Sequence, residues 1–262
     1  MSQYSVEIIP CLADNYAYLI TCDRSGAVLC VDPGEGEPVL DALDARGVKL
    51  DAVLCTHHHL DHVGGLAVLR GRYGSALRVF AHGSDATRID GPIEPLEHTQ
   101  SVRLGQLDVT ALHVPAHTTG ALAYVVDSAA VFTGDTLFSA GCGRLFEGTA
   151  EMMTHALMDT LGALSDDVLM YPGHEYAERN LGFAAMISPG HLPTQARIAR
   201  VATLRAHGEP AVPSTLGEER ETNPFLRLSA EDIRAFARAQ AAYSGEDPSA
   251  ILQVIRSARD RY

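Results

Sequence analysis

At 262 residues, 46% hydrophobic and 20% charged, the chain has the length and composition of a globular enzyme, able to bury a core as one large domain or two unequal ones. The net charge of −13 argues against nucleic acid or a membrane surface as the main partner, because both require a basic face. The same field repels an anionic substrate unless local arginines overcome it. No run of about 18 uninterrupted apolar residues occurs, which excludes an ordinary membrane-spanning helix.

The N-terminal stretch MSQYSVEIIPCLADNY lacks a basic segment followed by an apolar run, so no signal peptide is expected. Five cysteines, Cys11, Cys22, Cys30, Cys55 and Cys142, form no Cys-x-x-Cys pair, and their number is odd. They read as reduced core residues, which favours the cytoplasm.

In chain order, VEIIP, YAYLIT and AVLCVD are predicted strands separated by Asp-Asn and Ser-Gly turn signals. Pro38 to Arg46 has apolar residues at helical spacing, AVLC is a buried strand, and Val63 to Arg70 is helical. LRVFAH, LDVTALHV, ALAYVV and AAVFTG follow as strands, and VLMYPGH is a last strand ending in a loop. Beyond about Glu175 the pattern becomes helical, in NLGFAAMI, Thr194 to Ala206, Ala230 to Ala241 and Ser249 to Arg259. Ser229 with Asp232 offers an N-terminal cap for the third of these. The expected organisation is an α/β domain over residues 1–175 and a smaller helical domain over 176–262.

The strongest chemical signal is Thr56-His57-His58-His59-Leu60-Asp61-His62, directly after the strand AVLC. On an extended segment His57, His59 and Asp61 fall on one side, and His62 can reach a second ion beside the first. Imidazole suits zinc, and carboxylate admits iron or manganese. A two-metal site needs further ligands, and strand ends supply His117, Asp135 and His174, where loops gather on one edge of a layered fold. A single histidine near a strand end is more often an ordinary residue than a ligand. The clustered run has no such explanation, because adjacent imidazoles and a carboxylate are poor strand formers and costly to bury unpaired. His82, His98, His113, His155, His191 and His207 fit no ligand pattern, and His58 is expected to point away from the metals.

The run THHHLDHVGG, followed in order by HTTG, TGDTLF and YPGHE, resembles the metallo-β-lactamase superfamily. The strings DNYAYLI, VDPGE, AGCGRLFEGT, VPSTLGEE and NPFLR make essentially the whole chain similar to the glyoxalase II, or hydroxyacylglutathione hydrolase, family. That resemblance implies a four-layer αβ/βα sandwich followed by a helical substrate domain. It implies His57, His59 and His117 on one metal, Asp61, His62 and His174 on the other, and Asp135 bridging. It also matches Arg144, Phe146, Tyr176, Arg256 and Arg259 to positions that hold glutathione. Without it, Arg256 and Arg259 would read as a solvated face of the last helix.

Two departures stand out. The family commonly has lysine and tyrosine where this chain has Arg144 and Phe146, and a second histidine where it has Ala121. The implied activity is hydrolysis of S-(2-hydroxyacyl)glutathione thioesters, typically S-D-lactoylglutathione, to glutathione and D-lactate, by a hydroxide bridging two divalent ions, with zinc favoured. This is the second step of methylglyoxal detoxification. Asp61 and Asp135 are the expected catalytic residues, and the expected protein is a cytoplasmic monomer. The rival activities are hydrolysis of another thioester and a persulfide dioxygenase-like reaction on one iron. A lactamase, a nuclease, a structural metal clip and a Cys142 nucleophile rank below them.

Overall fold

The computed structural model describes residues 4–262. It falls into two compact units, one containing the chain up to His113 with Gly120–Gly134, the other Val114–Thr119 with Asp135–Tyr262.

In the first unit, β1 (Tyr4–Cys11) and β2 (Asn15–Cys22) form an antiparallel hairpin whose register pairs Cys11 with Asn15. β3 (Val28–Val31) runs antiparallel to β2 and is followed by α1 (Gly36–Arg46). β4 (Ala52–Leu54) lies parallel to β3. After β4 come α2 (Leu60–Val63) and α3 (Leu66–Tyr73), then the parallel strands β5 (Arg78–His82) and β6 (Glu94–Leu96). The crossovers from β3 to β4 and from β4 to β5 place α1, α2 and α3 on the sheet, and the core forms from Leu19, Cys30 and Val53 against Val39, Leu43, Leu66 and Leu69.

The alternate side chains of this sheet meet a second sheet in the same unit. Its strands β7 (Ser101–Leu104), β8 (Leu107–His113), β9 (Leu122–Val126) and β10 (Ala130–Gly134) pair antiparallel in turn. Tyr18 packs edge-on against Phe132 with centroids 5.3 Å apart, and the buried Tyr124 hydroxyl donates to the Cys55 carbonyl at 2.8 Å. Burial on both faces explains why β2, β9 and β10 are nearly continuous apolar runs rather than alternating ones.

The second unit contains the short hairpin β11 (Leu137–Phe138) and β12 (Gly141–Cys142). Next comes α4 (Ala150–Thr154), which Thr149 caps by accepting from Met152 N, and which continues as a π-helical turn over His155–Thr160. This helix has no counterpart among the predicted elements. β13 (Leu169–Pro172) precedes α5 (Ala177–Ile187) and α6 (Leu192–Ala206), and it pairs with β14 (Ser214–Thr215). The chain finishes in α7 (Leu216–Thr222), α8 (Glu231–Arg238) and α9 (Pro248–Arg261).

The predicted cap at Ser229 is not made. Ala230 occupies the N-cap of α8 without a side-chain bond, and Asp232 instead accepts from Arg227 at 2.8 Å. α9 does carry a cap, Asp247 accepting from Ser249 N at 2.9 Å, with Pro248 pre-set at its first position. No helix among the described residues is long and apolar enough to cross a membrane.

Candidate metal centre

The histidine run follows β4 but does not continue it: the chain bends at Thr56 and His57, so the extended segment expected from the sequence is not formed. His59 is the N-cap of α2, with φ −62° and ψ 143°, so Asp61 and His62 stand on the first helical turn. Strand alternation therefore does not bring these side chains together: a bend carries His57, and the helical turn carries Asp61 and His62. Gly34 makes this turn possible, since a Cβ there would lie 2.3 Å from the Asp61 carbonyl oxygen.

Hydrogen bonding on the far side of each ring decides which nitrogen faces inward. Asp32 accepts from Thr56 N and Thr56 Oγ1, both at 2.7 Å, and lies 2.9 Å from His62 Nδ1. A carboxylate only accepts, so His62 Nδ1 carries the proton and Nε2 keeps its lone pair. Thr56 spends its hydroxyl hydrogen on Asp32, so it accepts from His57 Nδ1 at 3.0 Å, and His57 Nε2 is likewise left basic. His57 Nε2 and His59 Nδ1 converge to 3.0 Å. Asp61 is held by the Asn15 amide, which donates to its backbone oxygen at 3.1 Å and to Oδ2 at 3.3 Å. His58 turns to the buried Asp85, Nδ1 to Oδ1 3.4 Å.

The second unit repeats the logic. The Arg144 carbonyl accepts from His117 Nδ1 at 3.0 Å, leaving Nε2 to face Asp135 Oδ2 at 3.5 Å. His174 Nε2 faces the other oxygen, Oδ1, at 3.4 Å. One carboxylate thus offers each oxygen to a different imidazole, the arrangement a bridging ligand requires. Gly143 is obligatory beside it: a Cβ would fall 1.9 Å from the Asp135 carbonyl oxygen. His174 stacks on Tyr176 at 4.8 Å, and Phe138 packs against both rings. Phe146, otherwise exposed, covers His117 at 5.0 Å. Ala121 is a buried alanine just before β9.

These donors fit divalent metal ions. They are imidazoles and carboxylates with no thiolate, and basic nitrogens are set by outer hydrogen bonds as metal-binding histidines require.

Arg256 and Arg259 are buried, not solvated. Arg256 donates to the Cys142 carbonyl at 2.7 Å and to Asp260 at 3.0 Å. Arg259 donates from Nε and Nη2 to Asn180 Oδ1 at 3.1 and 3.0 Å. Burial, with Arg179 and Arg256 nearby, pushes Arg259 down to about 10, which still leaves it charged at neutral pH. Cys142 is no nucleophile, because burial pushes its thiol up to about 11.

Several supporting residues were not singled out from the sequence. Asp32 lies in VDPGE, a string noted only for resemblance, and its φ of 48° is a left-handed conformation that aspartate tolerates. Glu219, in VPSTLGEE, is buried and accepts from Ala140 N at 2.8 Å, Ser214 Oγ at 2.6 Å and Asn223 Nδ2 at 3.2 Å, and pairs with buried Arg197. Asn223 also donates to the Phe138 and Gly141 carbonyls at 3.2 and 3.0 Å. This network fixes the β11–β12 hairpin that carries Phe138 and the carbonyl of Cys142.

Residues 13–174 match the family described as the Metallo-beta-lactamase superfamily, and residues 175–262 match Hydroxyacylglutathione hydrolase C-terminus. The Hydroxyacylglutathione hydrolase of Shewanella loihica is 40% identical over 262 residues, covering 99% of each chain. That of Rhodopseudomonas palustris is 45% identical over 232 residues, 88% of this chain and 89% of its own. Among solved structures, ETHE1 from Myxococcus xanthus superposes with a TM-score of 0.65 at 24% identity, over 98% and 97% of the two chains. The BLEG-1 B3 metallo-beta-lactamase also reaches 0.65, at 20% identity over 85% and 99%; these two likenesses concern the fold.

Proposed function

We propose the activity that follows from what the chain is: it belongs to the hydroxyacylglutathione hydrolase family of the metallo-β-lactamase superfamily, and it hydrolyses S-(2-hydroxyacyl)glutathione thioesters, S-D-lactoylglutathione foremost. In this reading the ligand set is the one the family resemblance implies. His57, His59 and His117 would hold one ion, Asp61, His62 and His174 the other, and Asp135 would serve both. Zinc suits the donor set best, and iron and manganese are compatible with it. Such ions, when bound, supply Lewis acidity that polarises a carbonyl and makes water nucleophilic near neutral pH.

The chain's own residues do the rest. Asp61, steadied by Asn15, accepts a hydrogen bond from the attacking water and fixes its direction. Arg144, Arg256 and Arg259, with Tyr176 and Phe146, receive the glutathione end, giving a local positive charge within a protein of net −13. The guanidinium fork suits a carboxylate. A thiol, with a pKa of about 8.5, departs as thiolate, so no general acid is needed. Residues 1–175 carry the chemistry and 176–262 contribute most of the substrate contacts; the protein works as a cytoplasmic monomer.

One observation carries this reading: within one compact unit, the short hairpin joins His174, beside Asp135, to the buried Arg256, through Phe138 on His174 and the Cys142 carbonyl on Arg256. The test is thiol scope. The purified enzyme should cleave S-D-lactoylglutathione far faster than lactoyl thioesters of thiols lacking carboxylates. Equal rates on both would leave a thioesterase but remove the glutathione assignment.

A further inference from the structure

The arginines of the second unit are not equivalent. Arg259 is buried and, among the described residues, has no acidic partner within ion-pair distance; its donors rest on the neutral Asn180 amide. Arg256 is buried and anchored twice, to the Cys142 carbonyl and to Asp260. Arg144 differs from both. Its side chain is 61% exposed, and its acidic partner is Asp260, 3.3 Å from Nε. Asp260 stands one residue beyond Arg259 on α9, is 44% exposed, and touches Arg144 and Arg256 together.

Three like charges gathered around one helix end repel one another. Arg256 and Arg259 are buried, whereas the long Arg144 side chain stands largely in water. Among the described residues, the acidic group that holds it beside Arg256 is the shared counter-ion Asp260. We propose that Asp260 is a positioning residue for substrate binding: it clamps Arg144 against Arg256, so that Arg144 is presented to the carboxylate end of the thioester beside Arg259, which has no ion-pair partner of its own among the described residues. The proposal rests on the glutathione-thioester reading above. Among the described residues Asp260 pairs with Arg144 and Arg256 and not with the metal-site donors, so its effect falls on binding.

The test is a double-substitution cycle on the intact, metal-loaded enzyme with S-D-lactoylglutathione. Wild-type turnover is measured first, because it stands or falls with the activity itself and not with the clamp. Asp260→Asn should raise KM about fivefold with kcat within about twofold of wild type, and Asp260→Glu should recover most of the loss. In an Arg144→Ala background, adding Asp260→Asn should change KM by less than about twofold, because the clamped residue is already gone. An unchanged KM in Asp260→Asn, or an equal increase with and without Arg144, overturns the clamp. Should Asp260→Asn fail to fold, Arg144→Ala alone decides: a KM equal to wild type overturns it as well.

Discussion

Asp32→Asn tests the orientation of the histidine run more sharply than any change to a ligand. The substitution keeps the shape of the side chain and tolerates the φ of 48° at this position, so the backbone is left alone. It replaces one accepting oxygen with a donor, and both placements of the new amide conflict with a neighbour. If NH₂ faces His62 Nδ1, now 2.9 Å from Oδ2, the imidazole must accept there and carry its proton on Nε2, the atom needed for metal. If the amide flips, NH₂ faces the Thr56 backbone N–H, now 2.7 Å from Oδ1, and two donors collide in a buried place. A buried donor left unsatisfied costs about 1–3 kcal/mol, and loss of such an outer partner lowers metal affinity or activity by about 10- to 100-fold. Competition with a chelator gives the affinity, and thermal unfolding of metal-free protein gives the stability term. Metal affinity within about twofold of wild type would refute the claim that Asp32 sets the His62 tautomer.

Asp135→Asn should remove most activity and most bound metal, measured by elemental analysis; a variant retaining both ends the bridging assignment. Gly143→Ala should lower metal content and melting temperature together, because the 1.9 Å approach of a Cβ to the Asp135 carbonyl forces that backbone to move. The pH dependence follows from Arg259. Its guanidinium, pushed down from its ordinary higher value to about 10, is charged at neutral pH and loses its proton as pH rises through about 10. Because folding lowers this pKa, the fold pays for the charge below about 10 and is relieved above it, while substrate binding moves the opposite way. KM should therefore climb above pH 10 on a time scale shorter than denaturation, and Arg259→Met should abolish that climb.

Much of the candidate ligand set stands out in the sequence because metal binding concentrates unusual residues: no structural role calls for His57, His59, Asp61 and His62 within six positions. His117, Asp135 and His174 could be added only because each follows an apolar run. Their orientation was not legible. The partners that turn the rings come from distant segments, Asp32 lying 30 residues before His62 and Arg144 lying 27 after His117. The arginines on α9 show the same limit. Spacing of three reads as a solvated helix face, and burial becomes visible only once Cys142 and Asn180, 114 and 79 residues away, are seen to accept from them. The helix after Thr149 escaped notice because its regular spacing breaks in a π-helical turn. Ser229 misled for a local reason, since the chain enters α8 one residue later, at Ala230.

The measurement that bears most directly on the account is hydrolysis of S-D-lactoylglutathione by purified protein before metal removal, after it, and after restoration. The account predicts release of glutathione and D-lactate that disappears on chelation, with the fold retained, and returns with about two equivalents of divalent ion. Turnover that survives complete metal removal would contradict it.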